Sequence, residues 1–517
     1  MVDRLRSFFI TVNPAVFAGS AVLILPFVIF GVARPESAFE VFDAVHMFIT
    51  EYLGWVYLIA VTFFLGFLIW LGLSRYGAIR LGQPDEKPQF GYFAWFSMLF
   101  SAGMGIGLVF WSVAEPMLHY QFPPDAEGET AEAANQAMVY TFFHWGLHAW
   151  AVYVILGLSV AYFSFRYHLP LTIRSIFYPL LGDRIYGPIG HVIDVLAVFG
   201  TLFGLATSLG LGAMQLNTGL NRLVDLPVSH WYQVGLIAVI TTVAVMSVLS
   251  GLYRGLKWLS VFNLWLAIAV MAFVLLAGPT LFIIRFFLES TGTYVQQLIQ
   301  MSLTTDAVGG SEWQKDWTMF YWAWWIAWSP FVGIFIAQIS RGRTIREFIV
   351  GVLALPTLFV FAWMSIFGGT ALHMEIFTEG SGIAEAVAAD TSSALYATLE
   401  QLPWVTISSA VATLLIGTYF ITSLDSGTHV IDTLLSRGSK HSPPRQRVIW
   451  GFTKGAVAST LLIVGGEQAL SSLQTGSIIA GLPVAIILIF ASYNLMRALQ
   501  REYRVEGVRP PWGGGGS

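Results

Sequence analysis

The chain has 517 residues, 56% of them hydrophobic and 11% charged, with a formal net charge of −4. A soluble domain carries about 25% charged residues, so this chain lacks the polar surface water would demand, and its mean hydropathy of +0.69 assigns it to a membrane. The small net charge gives no footing for nucleic acid, and the absence of cysteine excludes disulfides and thiolate metal sites.

A span needs about 20 mainly apolar residues. Twelve segments qualify, at 14–33, 54–74, 92–113, 138–162, 190–219, 231–250, 258–282, 317–339, 347–368, 404–433, 449–465 and 475–496. The expected fold class is therefore an all-α polytopic membrane protein with twelve transmembrane helices. The first run lacks a small-residue cleavage motif and reads as a span, not a signal peptide. Residues 283–303 (IIRFFLESTGTYVQQLIQMSL) mix polar and apolar residues at helical spacing. They read as an amphipathic helix on the membrane surface, or equally as a connecting helix packed on the protein. With the N-terminus inside, cytoplasmic segments hold 21 Lys and Arg and external loops hold 4, with Lys454 just inside a span. That bias places both termini in the cytoplasm. The external loops 114–137 and 369–403 carry only acidic charge. No GxxxxGK[ST] or HExxH motif supplies an ATP engine or hydrolytic centre, which points away from an enzyme and toward a secondary transporter. The final GGGGS, 513–517, reads as an appended linker.

Within the third span, FSAGMGIGLVFWSVAEP (100–116) places Gly103, Gly105 and Gly107 in sequence. Each costs about 1 kcal/mol against Ala in a helix interior. Such a run can unwind and expose backbone to a cavity, as the interrupted helices of transporters do; close packing through small residues is the alternative.

Residues 316–328 read DWTMFYWAWWIAW. At about 100° per residue, Trp317, Tyr321, Trp324 and Trp328 form one stripe, with Trp325 beside it. On the fourth span, FHWGLHAWAVY places Trp145, Trp150 and Tyr153 within an arc of about 140°. Two helices that each offer an aromatic face suit a quaternary ammonium, held through cation–π attraction of about 2 kcal/mol or more when desolvated. An interfacial belt accounts for Trp313 and Trp317, but not for Trp324, Trp325 and Trp328 deeper in the span.

The stretch DWTMFYWAWW, Asp316 to Trp325, resembles the signature of the betaine/choline/carnitine transporter family. The resemblance extends to GMGIG, HWGLHAWAVY, GLYRGLKWLS with the following Asn263, ISRGRTIREF, and TSLDSG at 422–427. It implies a LeuT-type inverted repeat of five plus five helices with two extra N-terminal helices. The parts would be 1–91 with the first two spans, a first repeat at 92–282, a surface helix and external loop at 283–316, a second repeat at 317–496, and a basic tail at 497–512. It also implies a bacterial cytoplasmic membrane and a homotrimer with the surface helix contributing contacts. Trp145, Trp150, Tyr153 and Trp325 would form the substrate cage, Trp324 and Trp328 the path to the cytoplasm. The substrate carboxylate would lie by the backbone of Gly103, Met104, Gly105 and Gly107. Choline carriers of the family tend to place Asp at this last glycine. Gly107 therefore favours a zwitterion, glycine betaine first, with dimethylsulfoniopropionate and ectoine behind.

The resemblance assigns a sodium site to the hydroxyls of Thr422 and Ser423 and the backbone oxygens of Ser101 and Met104. By themselves, the two hydroxyls could equally bond to their own helix. Asp425 keeps a proton role open. A second sodium site would use Thr201 and Phe331, but the other hydroxyl position holds Leu205, an aliphatic residue that cannot ligate sodium. No Arg or Lys lies between Asp194 and Asn221, where uncoupled exchangers of the family place an Arg. The expected function is sodium-coupled import of a betaine-type zwitterion without a cofactor. The rivals are a proton-coupled choline or carnitine carrier and, from another class, a channel or ligand sensor. Arg497, Arg501, Arg504 and Arg509 beside the last span could touch anionic lipid and also satisfy the positive-inside rule; tails this short argue against strong osmotic sensing.

Overall fold

The computed structural model describes residues 11–103, 105–249, 253–307, 312–439 and 442–506. Met104, expected at both the carboxylate and sodium positions, lies outside the described residues, as do Arg509 and the linker. Ser101 and Gly103 fall in the final turn of a helix.

Fifteen helices of more than ten residues, α1–α15, carry the chain, and no strand occurs among the described residues. They are α1 Pro14–Ala33, α2 Pro35–Leu73, α3 Tyr92–Gly103, α4 Ile106–Gln121, α5 Ala131–Trp145, α6 Leu147–Arg166, α7 Pro188–Val224, α8 His230–Leu249, α9 Tyr253–Ala277, α10 Thr280–Leu303, α11 Phe320–Ile339, α12 Ile345–Phe377, α13 Val405–Leu435, α14 Pro444–Gly465 and α15 Ala469–Glu506.

Ten helical stretches among the described residues are long and apolar enough to cross a membrane. The expected third span is missing from that set because it is interrupted: α3 and α4 have 12 and 16 residues, each short of a crossing. At the other end, α14 and α15 are joined by a single 3-10 turn, Gly466–Gln468, and read as one apolar run. Two expectations shift. Residues 35–53, expected in an external loop, are helical, because Pro35 opens α2 and Glu36 sits in its first turn. The expected fourth span is split at Gly146, whose added Cβ would meet the Phe142 carbonyl oxygen at 2.4 Å.

The centre of the protein is α6 and α11. Every residue from His148 to Ser164 is buried, as is every residue from Phe320 to Ala327. α11 packs on α6, α7 and α15. Where they touch, glycines bring backbone against backbone, as Gly157 does against Gly333. The periphery is apolar and exposed: Trp55, Ile59 and Phe63 on α2, Trp231 and Val239 on α8, and Trp265 on α9 face outward, as a lipid-facing surface should. α10 takes the place expected of the amphipathic helix. It exposes Leu281, Ile284, Leu288, Val295 and Ile299 while burying Phe286 and Tyr294.

A methyl group on Gly204 of α7 would stand 2.9 Å from the Trp328 backbone nitrogen and 3.0 Å from its Cα. Backbone cannot yield as a side chain can, so Gly204→Ala should destabilise the protein by about 1–3 kcal/mol. A lowered Tm of the purified protein in a thermal-shift assay is the expected result.

Candidate functional site

The break after α3 leaves Gly105 extended, at φ −146° and ψ −179°, before α4 begins. Gly107 lies inside α4, and its contribution is room: an added Cβ would meet Trp324 Cη2 at 2.5 Å and Trp145 Cη2 at 3.5 Å. The split at Gly146 ends α5 on Trp145, while α6 brings Trp150 and Tyr153 alongside.

These residues converge. Trp145, Trp150, Tyr153 and Trp325 line one cavity with Gly105 and Gly107, and Trp324, Trp328 and the smaller or aliphatic Leu108, Ala149 and Val360 complete its wall. The Trp145 ring meets Trp325 edge-on at 4.8 Å, and Trp150 meets Tyr153 at 5.5 Å. Trp324 and Trp325 stack at 4.7 Å. The rings close on one another and leave a volume of about 20 Å³, water-sized and short of a trimethylammonium group. Tyr153 Oη and Trp328 Nε1 are buried without a hydrogen-bond partner among the described residues, so each retains a bond to offer.

Trp328 and Gly105 also border a second, larger cavity of about 470 Å³, whose lining includes Phe331, Asn263, Thr422 and Ser423. The expected ion-site hydroxyls thus face the same broken-helix segment as the cage. Thr422 Oγ1 donates to the carbonyls of Thr418 and Tyr419, at 3.2 and 3.1 Å, and accepts from Asn263 Nδ2 at 3.2 Å. Thr201 is buried and donates to the Ala197 carbonyl at 2.7 Å, while Phe331 stacks on Trp328. Leu205 packs against Gly427 of α13, so the remaining corner of the expected second sodium site holds hydrocarbon.

One residue of the site escaped the sequence reading. Glu115 of α4 was assigned to an external loop, yet it is wholly buried. Its Oε2 accepts from Trp145 Nε1 at 2.6 Å and from the Tyr321 hydroxyl at 2.5 Å. Its Oε1 lies 2.6 Å from His144 Nδ1 and 3.3 Å from His119 Nε2. A proton on His144 Nδ1 satisfies this contact and leaves Nε2 to accept from Thr318 Oγ1 at 3.0 Å. The ligating atoms of Glu115, His119 and His144 lie within 4.8 Å of one another. Both carboxylate oxygens already face N–H or O–H groups, so the cluster is built as a hydrogen-bond hub and not as an open metal site. The visible signal was the AEP triplet closing an apolar run, with a carboxylate that belongs inside the span.

An all-helical, multi-pass membrane chain with a ring-lined cavity beside an interrupted span has the build of a membrane transporter. The family described as BCCT, betaine/carnitine/choline family transporter, matches residues 15–504, and the chain belongs to it. It is similar to a probable glycine betaine transporter of Desulfitobacterium hafniense, 44% identical over 491 residues that cover 95% of this chain and 98% of that one. It is also similar to the glycine betaine transporter OpuD of Bacillus subtilis, 46% identical over 92% of both chains. The high-affinity choline transport protein of Escherichia coli is 42% identical over 96% of this chain and 74% of its own length.

The two glycines of the cage should respond differently to a methyl group. Gly107→Ala should displace the Trp324 ring and change the intrinsic tryptophan emission of the folded protein. Gly105→Ala, whose added Cβ would lie 3.6 Å from Trp328 Cη2, should leave that spectrum near wild type.

Proposed function

We propose that this transporter imports a small methylated zwitterion, glycine betaine first and dimethylsulfoniopropionate or ectoine behind it, by sodium symport and alternating access. The observation that carries this reading is the lining of the cage, which is aromatic rings and two glycines with Leu108, Ala149 and Val360, and holds no ionisable carboxylate or basic side chain. Such a wall attracts a cation through ring quadrupoles and sets no carboxylate in the cavity itself, which leaves room there for a ligand that carries its own. A carboxylate beside the break at Gly105 would find backbone donors, together with Trp328 Nε1 and Tyr153 Oη. Relatives named as glycine betaine transporters favour the same substrate. The choline-carrying relative keeps a proton-coupled choline carrier as the second reading.

The helix packing supports a LeuT-type pair of inverted repeats, α3–α9 and α11–α15, in a twelve-span layout with α3 and α4 counted as one span and α5 and α6 as another. Under a two-fold exchange, the contact of α4 with α12 maps onto that of α6 with α11. The pairs α7 with α13 and α8 with α14 map onto themselves. All four contacts are extensive. The larger cavity reaches Phe90 and Ala94, next to the segment that carries Arg75, Arg80 and Lys87. By the positive-inside rule this is the cytoplasmic face, so we read the conformation as inward-facing, with both termini cytoplasmic. Thr422 and Ser423, with backbone of the broken span, supply the oxygen ligands a sodium ion needs. The apolar outer face of α10 is our candidate for trimer contacts.

Labelled glycine betaine should accumulate in proteoliposomes under an inward sodium gradient and not under a proton gradient or none. Proton-driven accumulation would overturn the ion assignment. Current far above coupled turnover would make the protein a channel, and binding without movement a sensor. Removing both ion-site hydroxyls, Thr422→Val with Ser423→Ala, should raise the sodium concentration for half-maximal uptake at least tenfold. Trp325→Leu should lower betaine affinity about thirtyfold, the equivalent of about 2 kcal/mol of cation–π attraction, in a protein that elutes from size exclusion as wild type does.

A further inference from the structure

We propose that Glu115 is a positioning residue of the aromatic cage: it holds the Trp145 indole by its N–H and loads that ring with the negative charge a quaternary ammonium seeks. The inference rests on the proposed reading of the cage and adds to it the group that tunes its affinity.

The indole of Trp145 is held at one end and used at the other. Nε1 donates to Glu115 Oε2 at 2.6 Å, while Cη2, across the ring system, lies beside Gly107 at the cage wall. The same carboxylate oxygen takes the hydroxyl of Tyr321, and the Tyr321 ring stacks on Trp325 at 5.7 Å. Two neighbouring walls of the cage, one from α5 and one from α11, therefore hang from one oxygen atom. The carboxylate itself cannot drift. Gly368 lets α12 lie directly against the turn of α4 that contains it, where an added Cβ would meet Pro116 Cγ at 2.5 Å and the Ser112 carbonyl at 2.8 Å.

The electrostatic part follows from what surrounds the group. Glu115 faces His119, His144, Trp145 and Tyr321, and its ion-pair partners among the described residues are histidines alone, with no Lys or Arg. A charge-assisted N–H···O⁻ bond is stronger than a neutral one, and it shifts electron density into the indole. Cation–π attraction depends on the negative face of the ring, so the donated density strengthens the contact. The carboxylate's own field also reaches the cage across one indole width in a dry, weakly polarisable interior. No ionised group then has to line the cavity, where it would compete with the substrate's carboxylate.

Glu115→Gln preserves shape and one acceptor oxygen but removes the charge. In proteoliposomes of the full-length protein, it should raise the KM for glycine betaine at least tenfold while Vmax per folded molecule stays within about twofold of wild type. A merely structural role would lower the active fraction and Vmax and leave KM in place, so a KM within threefold of wild type, whatever the Vmax, overturns the proposal. If the Gln variant does not fold, Trp145→Phe, which keeps a ring and deletes the N–H, carries the test with the same thresholds. Where both variants fold, combining them should add less than twofold to the KM of Trp145→Phe alone; a multiplicative effect would show that Glu115 does not act through Trp145. Failure of wild type to take up any methylated ammonium compound would instead remove the proposed function.

Discussion

A buried indole has to find a partner for its N–H as well as a surface for its faces, and in this protein that requirement ties the cage together. Trp145 gives its N–H to Glu115 on α4, Trp324 to the Gly204 carbonyl on α7 at 3.2 Å, and Trp325 to the His144 carbonyl on α5 at 2.9 Å. The last of these is available because α5 stops at Trp145. A helix end leaves its final carbonyls unspent, and the split at Gly146 creates such an end in the middle of the protein. The opposite side of the split is satisfied too, since the Leu147 N–H reaches the hydroxyl of Tyr294 on α10 at 3.4 Å. α10 thus caps the start of α6 across the split. Local defects in two spans and the hydrogen-bond needs of the tryptophans are the same design.

That logic also separates what the sequence discloses from what it hides. Aromatic periodicity on the eighth span and the three glycines of the third are local patterns, and the rings and the break stand where those patterns put them. Unwinding and close packing were both open for these glycines; Gly105 stands extended at the break, whereas Gly107 lies inside α4 and makes space for Trp324. The split at Gly146 was missed because HWGLH sits inside an apolar run, and hydropathy measures the lipid path and not the continuity of the helix. Glu115 was missed for a deeper reason. A hydropathy window closes at the first charge, so 114 onward looked like a solvated loop. Burying a carboxylate depends on donors from α5 and α11, and Tyr321 lies more than 200 residues away. No local pattern encodes such a partner.

The two cavities meet at Gly105 and Trp328. Thr422 and Ser423 of the larger cavity therefore share Gly105 and Trp328 with the rings of the cage, and Gly105 stands extended just before α4 begins. Any ligand that fixes that backbone from one side alters the cost of fixing it from the other, and such coupling is reciprocal. The protein uses the same aromatic chemistry on itself nearby. The guanidinium of Arg343 sits over the rings of Tyr92 and Trp95, at 4.2 and 4.6 Å from their centroids, and is almost wholly buried.

The closed cage finally raises the question of which ring yields. Its rings touch one another across a volume of about 20 Å³, so a trimethylammonium group would enter only if at least one of them turned. Trp324 and Trp325 are held by N–H bonds to backbone, and Trp145 by a carboxylate. Trp328 alone among the α11 indoles of the cage has its N–H unpartnered among the described residues, and its ring is stacked on Phe331 at the border of the larger cavity. Turning a tethered indole breaks a buried hydrogen bond, at a cost of about 1–3 kcal/mol; turning Trp328 breaks none. The ring with least to lose is also the one that borders both the cage and the wider cavity.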